Sequence, residues 1–294
     1  GEPDFVTPWH IRESCVHGLQ RGYTAYTSNY GLLELRQEIA KMIEADYGVT
    51  YNPKCEALVT VGVSEALDLA MRAILSPGDE VLVPEPCYVS YQACVTLAGG
   101  KPVSVSTSRE NEFRVTVDQL AAALTPRTKA LLIGYPNNPT GAVMTRDGLA
   151  AIAQFAEKND LIVISDEIYA NLTYDGEHTC FASLPGMRDR TILLNGFSKA
   201  YAMTGWRIGY ALGNADFIGA MTKIHQFTML CAPITAQIAA VEALQQGRPS
   251  RDRMVAEYDK RRRLMVEGFR NLGLDCFEPK AAFYMFPSIP HTPP

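Results

Sequence analysis

The sequence predicts an α/β protein with a mostly parallel central sheet and helices on both faces. Three observations carry this. Short apolar runs that read as buried strands alternate with helix-period segments at the spacing of βα units. The alternation persists from residue 58 to residue 164. Three polar residues, Asn138, Asp166 and Lys199, each follow the end of a predicted strand, the rim where sheets of this kind bind ligands.

The elements follow in order. GEPDF at 1–5 opens with a Gly-Pro turn signature. GYTAYTSNYG at 22–31 is an aromatic, hydroxyl-rich loop, and packing within it accounts for Tyr23, Tyr26 and Tyr30. From 32 to 47, Leu32, Leu35, Ile39, Met42 and Ile43 recur at helical spacing, and Gly48 closes the helix. A strand at 58–61 leads to a helix with Ser64 as N-cap and a face of Leu67, Ala70, Met71 and Ile74. A strand, a turn of small residues and a helix N-terminus together make an anion site. The turn is neither a GxGxxG fingerprint nor a Walker loop, so neither NAD nor ATP is indicated. Strands at 80–83, 103–106, 130–133 and 161–164 then alternate with helices near 88–98, 117–124 and 146–158. YPNNPTG at 135–141 follows one of these strands and SDEIY follows another. Strands at 192–194 and 206–212 flank the lysine loop, and helices at 215–229, 234–246 and about 251–271 come after. AAFYMFPSI, 281–289, reads as a strand without a partner in the sequence. A C-terminal domain continuing past Pro294 is therefore expected.

The 294 residues, 47% hydrophobic and 20% charged, can bury the core of one large α/β domain or of two domains sharing an interface. A net charge of -5 and no basic stripe argue against nucleic acid as the main partner. The basic run at 260–263 is most simply the solvated face of a helix. No apolar run approaches membrane-spanning length and no signal peptide is read before Gly1, so neither membrane insertion nor export is expected. Seven scattered cysteines without CxxC spacing read as reduced thiols of a cytoplasmic protein, with no zinc and no disulfide framework. The five histidines are dispersed, and no metal site is expected.

The most informative stretch is NGFSKAYAMTGWRIG, 195–209. Its lysine, Lys199, lies among Phe197, Tyr201, Met203 and Trp206. Such a lysine either snorkels to water or sits in a pocket for its nitrogen chemistry. Desolvation releases its proton easily, as a Schiff-base lysine requires. Arg207 returns a permanent cation to the same place, which suits an anionic cofactor. The simpler readings elsewhere are a helix cap for Asp166 and a proline-ordered loop for YPNNPTG.

SDEIY, YPNNPTG and FSKAYAMTGWRIG in this order resemble the fold type I pyridoxal-phosphate enzymes, specifically the class I aminotransferases. The resemblance spans the chain from GEPDF to AAFYMFPSI. Within the family, TSNYGLLELR, KIHQF and AFYMFPSI look most like the N-acetyl-LL-diaminopimelate aminotransferases of lysine biosynthesis, with aromatic and aspartate aminotransferases nearly as close. The resemblance implies pyridoxal 5'-phosphate as cofactor, with Lys199 holding it covalently and moving the substrate proton as base and acid. It implies Asp166 against the pyridinium nitrogen, Asn138 and Tyr169 on the phenolic oxygen, and Tyr88 stacked on the ring. Val63 and Ser64, with Arg207 and more weakly Ser198, would receive the phosphate. Tyr26 matches a tyrosine that reaches a neighbouring subunit's phosphate, which implies a homodimer with shared active sites. The activity implied is ping-pong exchange of an amino group between an L-amino acid and a 2-oxo acid. A C–S lyase on the same lysine is the alternative within enzymes. A cofactor-binding regulator or a catalytically silent fold is the alternative outside them.

The expected organisation is an N-terminal segment 1–25, a large cofactor-binding domain 26–250, and the start of a small, truncated C-terminal domain, 251–294. Two departures from the family pattern stand out. No residue after Phe286 can be the arginine that grips the substrate carboxylate, so the chain is expected to bind cofactor better than substrate. Ala281 stands where the family usually has glycine.

Overall fold

A computed structural model describes residues 1–288 of the chain. Its strands are β1 (Ala57–Thr60), β2 (Glu80–Glu85), β3 (Lys101–Ser106), β4 (Thr128–Gly134), β5 (Ile162–Asp166), β6 (Thr191–Gly196) and β7 (Gly209–Leu212). They form one seven-stranded sheet in the order β1-β7-β6-β5-β4-β2-β3. Neighbours are parallel from β6 through β5, β4 and β2 to β3, and β7 alone runs antiparallel to both β6 and β1. The mostly parallel sheet is as expected.

The helices are α1 (Trp9–Gln20), α2 (Leu33–Tyr47), α3 (Gly62–Ile74), α4 (Ser90–Leu97), α5 (Val117–Ala123), α6 (Arg146–Lys158), α7 (Ala215–Thr228), α8 (Ile234–Gln246) and α9 (Arg248–Asn271). They cover both faces because the strands are apolar on both. In β4, Ala130 and Leu132 join a core with Leu67, Met71 and Met221 from α3 and α7. Leu131 and Ile133 of the same strand join one with Leu149, Ile152 and Phe155 from α6. Successive residues of a strand point to opposite faces, so the continuous apolar run was the signature of a sheet buried twice.

Three local expectations are corrected and one helix is added. Ser64 is not an N-cap: α3 begins at Gly62, and Val61 occupies the cap position without a side-chain cap bond. Gly62 permits this by taking φ +75°, a left-handed conformation that costs glycine little. The strand predicted to begin at Trp206 begins at Gly209, because Thr204–Trp206 forms a 3-10 turn and Arg207 follows with φ 51°. Residues 281–288 form no strand, only the isolated bridges Thr173–Ala281 and Cys276–Pro287. Ile289, the last residue of that expected strand, lies with 290–294 outside the described residues. Helix α1 was not anticipated, because it buries only Ile11 and Gly18 and has no continuous apolar face. At the departure from the family pattern, Ala281 is fully buried, and the left-handed conformation (φ 59°) falls on Ala282.

Among the described residues no helix is long and apolar enough to cross a membrane. The seven cysteines are all free.

Candidate active site

The carboxyl ends of β4, β5 and β6 open into a cleft of about 380 Å³. Strand register brings its parts together. Gly134, the last residue of β4, lies opposite Asp166, the last of β5, and Asp166 lies opposite Leu194 of β6. Val63, Ser64, Tyr88, Asn138, Asp166, Tyr169, Ser198, Lys199 and Arg207 all line this one cleft. These are nine of the ten residues singled out in the sequence. The tenth, Tyr26, is 83% exposed on the loop between α1 and α2 and is not brought to the cleft within this chain.

Asp166 is buried. Its Oδ2 accepts a hydrogen bond from the Tyr91 hydroxyl at 2.9 Å, and its Oδ1 accepts one from the Ile168 N–H at 3.2 Å. Burial nevertheless dominates and pushes the carboxyl up to about 6, against the pull of these bonds and of Lys199. A cation beside a carboxylate acts the other way, favouring its charged form. In the chain by itself the desolvation is the stronger of the two. Tyr91 was not singled out, although it lies three residues after Tyr88. Its position depends on Gly134, where a Cβ would stand 2.2 Å from the Tyr91 hydroxyl. Tyr88 and Tyr91 meet edge to face with ring centroids 5.7 Å apart.

Lys199 is half-buried, and its Nζ donates to the Gly1 carbonyl at 2.5 Å. The ammonium faces the rings of Tyr169 (5.8 Å) and Phe283 (5.9 Å). Burial, with Arg207 acting in the same direction, lowers its pKa against the opposing pull of Glu2 and Asp166. The N-terminal segment is thus part of the site, with Gly1 and Glu2 in the cleft wall and Thr204 Oγ1 donating to Glu2 Oε1 at 2.6 Å. Sequence reasoning treated GEPDF only as a turn. Phe283 and Tyr284 were likewise missed as neighbours of the site, since AFYMF read as a strand; the Tyr284 and Tyr169 hydroxyls are hydrogen-bonded.

In the YPNNPTG loop, Asn137 and Asn138 divide the work. Asn137 is buried, donating to the Pro86 carbonyl at 3.2 Å and accepting from the Thr140 hydroxyl at 2.8 Å. Asn138, half-buried, is the one on the cleft wall.

At the other end of the cleft, the first turn of α3 faces Arg207. The guanidinium packs so closely that a Cβ on Gly62 would lie 2.5 Å from Nη2. A Cβ on Gly209 would lie 2.7 Å from both Gly62 C and Val63 N, so β7 can touch this turn only as glycine. Arg207 Nη1 donates to the Thr204 carbonyl at 2.9 Å. A helix N-terminus with free N–H groups beside a fixed guanidinium is suited to a phosphate.

The chain matches the model of the family described as Aminotransferase class I and II over residues 1–292. It is 52% identical over 289 residues to the "Putative aminotransferase YugH" of Bacillus subtilis (strain 168), covering 98% of this chain and 75% of that protein. It is 45% identical to an aspartate aminotransferase of Pyrococcus abyssi (strain GE5 / Orsay), over 99% of this chain and 76% of that one. The crystal structure of an aromatic aminotransferase from Pyrococcus horikoshii OT3 superposes with a TM-score of 0.97 at 46% identity, covering 98% of this chain and 78% of that one. The chain belongs to the class I and II aminotransferases, enzymes that transfer amino groups with pyridoxal phosphate.

Proposed function

We propose that the cleft is the transamination site and that its two ends divide the cofactor between them. The single observation that carries this is the convergence of Asp166, Lys199, Asn138, Tyr169 and Arg207, from separate strand ends and loops, on one cleft. The donor set fits the group. A buried acceptor that resists ionising by itself stands at one end, and a helix N-terminus with a guanidinium stands at the other.

Pyridoxal phosphate, when bound, supplies an electron sink for the substrate's Cα. Asp166 would hold a proton on the ring nitrogen, gaining there the cationic partner that stabilises its charge. Asn138 and Tyr169 would hydrogen-bond the ring's phenolic oxygen, and Tyr88 would cover the ring face. The α3 N-terminus with Val63 and Ser64, together with Arg207 and Ser198, would hold the phosphate. Lys199, whose proton is loosened by burial, would hold the cofactor covalently and then carry the proton to and from Cα.

Relatives named for aspartate and for aromatic amino acids support those two donor classes. N-acetyl-LL-diaminopimelate, and with it lysine biosynthesis, is supported by a relative of that name and by the motifs that suggested it. A homodimer is supported by the surface around Tyr26. Asn29 hydrogen-bonds Gln226 at 3.1 Å, which sets this loop beside the end of α7, where Phe227 is 85% exposed. In that arrangement Tyr26 would serve the neighbouring subunit. Residues 26–250 are read as the large domain and 251–294 as the beginning of the small one. The free cysteines support a cytoplasmic location.

The test is an absorbance spectrum of the purified chain with pyridoxal phosphate. L-Aspartate, L-glutamate, an aromatic amino acid and N-acetyl-diaminopimelate are then added separately. A bound-cofactor band that changes with a donor and returns with a 2-oxo acid is expected. Release of ammonia with a 2-oxo acid would instead identify a lyase, and a band indifferent to every amino acid would identify a binding protein.

A further inference from the structure

KIHQF, near the end of α7, contains a histidine that the proposed chemistry does not use. His225 is fully buried, and its Nδ1 lies 2.7 Å from Glu65 Oε1. A carboxylate oxygen is the acceptor in such a pair, and Nδ1 is assigned as the donor. The other ring nitrogen, Nε2, is buried and has no hydrogen-bond partner among the described residues. The imidazole therefore has one polar contact, and all of its directional chemistry is spent on Glu65.

Glu65 is in the first turn of α3, and its second oxygen, Oε2, accepts the Val61 N–H at 2.5 Å. Val61 is the cap position of the helix and has no side-chain cap of its own. The same turn is held from the other side by Thr60 Oγ1, which donates to the Gly62 carbonyl at 2.9 Å. The relay thus runs from α7 through His225 and Glu65 to the backbone of the turn that presents Val63 and Ser64 to the cleft.

We infer that His225 is a positioning residue for the phosphate end of the cofactor. By orienting the Glu65 carboxylate on the Val61 N–H, it fixes the direction in which the first N–H groups of α3 point. An anion site made of backbone donors depends on such orientation, because the donors have no side-chain freedom with which to compensate. This rests on the reading of the α3 N-terminus as the phosphate seat.

The test compares two probes on the full chain, pyridoxal phosphate and pyridoxal, which lacks the phosphate. Dissociation constants are read from the absorbance of the bound cofactor. Wild type is expected to prefer the phosphorylated probe strongly. His225→Phe should weaken pyridoxal phosphate about tenfold, the loss of roughly one hydrogen bond to a charged group, and leave pyridoxal within about twofold. His225→Asn, whose amide can donate to Glu65, should recover most of the loss. Glu65→Ala should show the same selective loss, and adding His225→Phe to it should cost little more, because the histidine acts through the carboxylate. Equal weakening of both probes, unchanged affinity in folded His225→Phe, or full additivity in the double variant would overturn the inference. If His225→Phe does not fold, His225→Ala takes its place in the single and double variants, with the same selective loss expected and the same outcomes overturning the inference. A wild type that binds both probes equally would instead defeat the phosphate-seat reading beneath it.

Discussion

The two ends of the cleft hold charge by different means. At the Asp166 end the group is a side chain on the last residue of a central strand, buried and bonded to Tyr91. At the Arg207 end the groups are backbone N–H donors and an exposed guanidinium, held by two turns at positive φ, Gly62 at 75° and Arg207 at 51°. The first end is built by desolvation, which leaves a carboxyl in search of a cation. The second is built by backbone geometry, which leaves donors in search of an anion. A cofactor with a basic ring nitrogen and a phosphate answers both needs, and each end should fail in its own way.

The largest effect is expected where the two ends meet. Lys199→Ala should reduce transamination by about 10³-fold or more while the chain still binds pyridoxal phosphate through its other contacts. Single-turnover absorbance with L-glutamate checks this, and substantial turnover by the variant would remove Lys199 from its role.

Asp166→Asn should cost about 10²–10³-fold in turnover and yet stabilise the cofactor-free chain above neutral pH. The sign follows from the raised pKa. Between the ordinary value of 3.8 and about 6, the folded chain binds the proton more tightly than the unfolded chain does, so stability falls as pH rises through that window. The full loss is on the order of 3 kcal/mol. Urea unfolding at several pH values should show the variant gaining on wild type from pH 4 to pH 7. Parallel curves would mean that burial does not govern this carboxyl.

Arg207→Lys should weaken pyridoxal phosphate about 10-fold, since a point charge replaces a planar fork, and should leave that pH dependence unchanged. Gly62→Ala should destabilise the chain by about 1–2 kcal/mol, from the strained φ and the contact with Arg207, as read from Tm. The smallest effect is expected for Tyr91→Phe, about 1 kcal/mol. Its bond holds the Asp166 pKa down, so its removal should move the stability midpoint upward from about pH 6. A downward shift would contradict the assignment of donor and acceptor.

The same contrast explains what was legible beforehand. Asp166, Asn138 and Lys199 could be found because each follows an apolar strand run in sequence, and a strand end in a parallel sheet has a known destination. Tyr91 could not be found, since its role depends on the space that Gly134 leaves in a strand 43 residues away. Glu65 carried no signal in the sequence, since its bonds to the Val61 N–H and to His225 are made only by the folded turn and by α7 packed beside it. Gly1 and Phe283 lie at opposite ends of the sequence, and only folding sets them around one ammonium.

By itself the sequence determined the α/β alternation, the doubly buried sheet and the strand-end residues, because these follow from local periodicity and from which side chains avoid water. Its motifs determined the family. The tertiary structure decided where α3 starts, which residues surround Lys199, and that burial raises the pKa of Asp166. Those properties depend on distances between segments remote in sequence and on how much water their packing excludes, and neither quantity is written in any one stretch of residues.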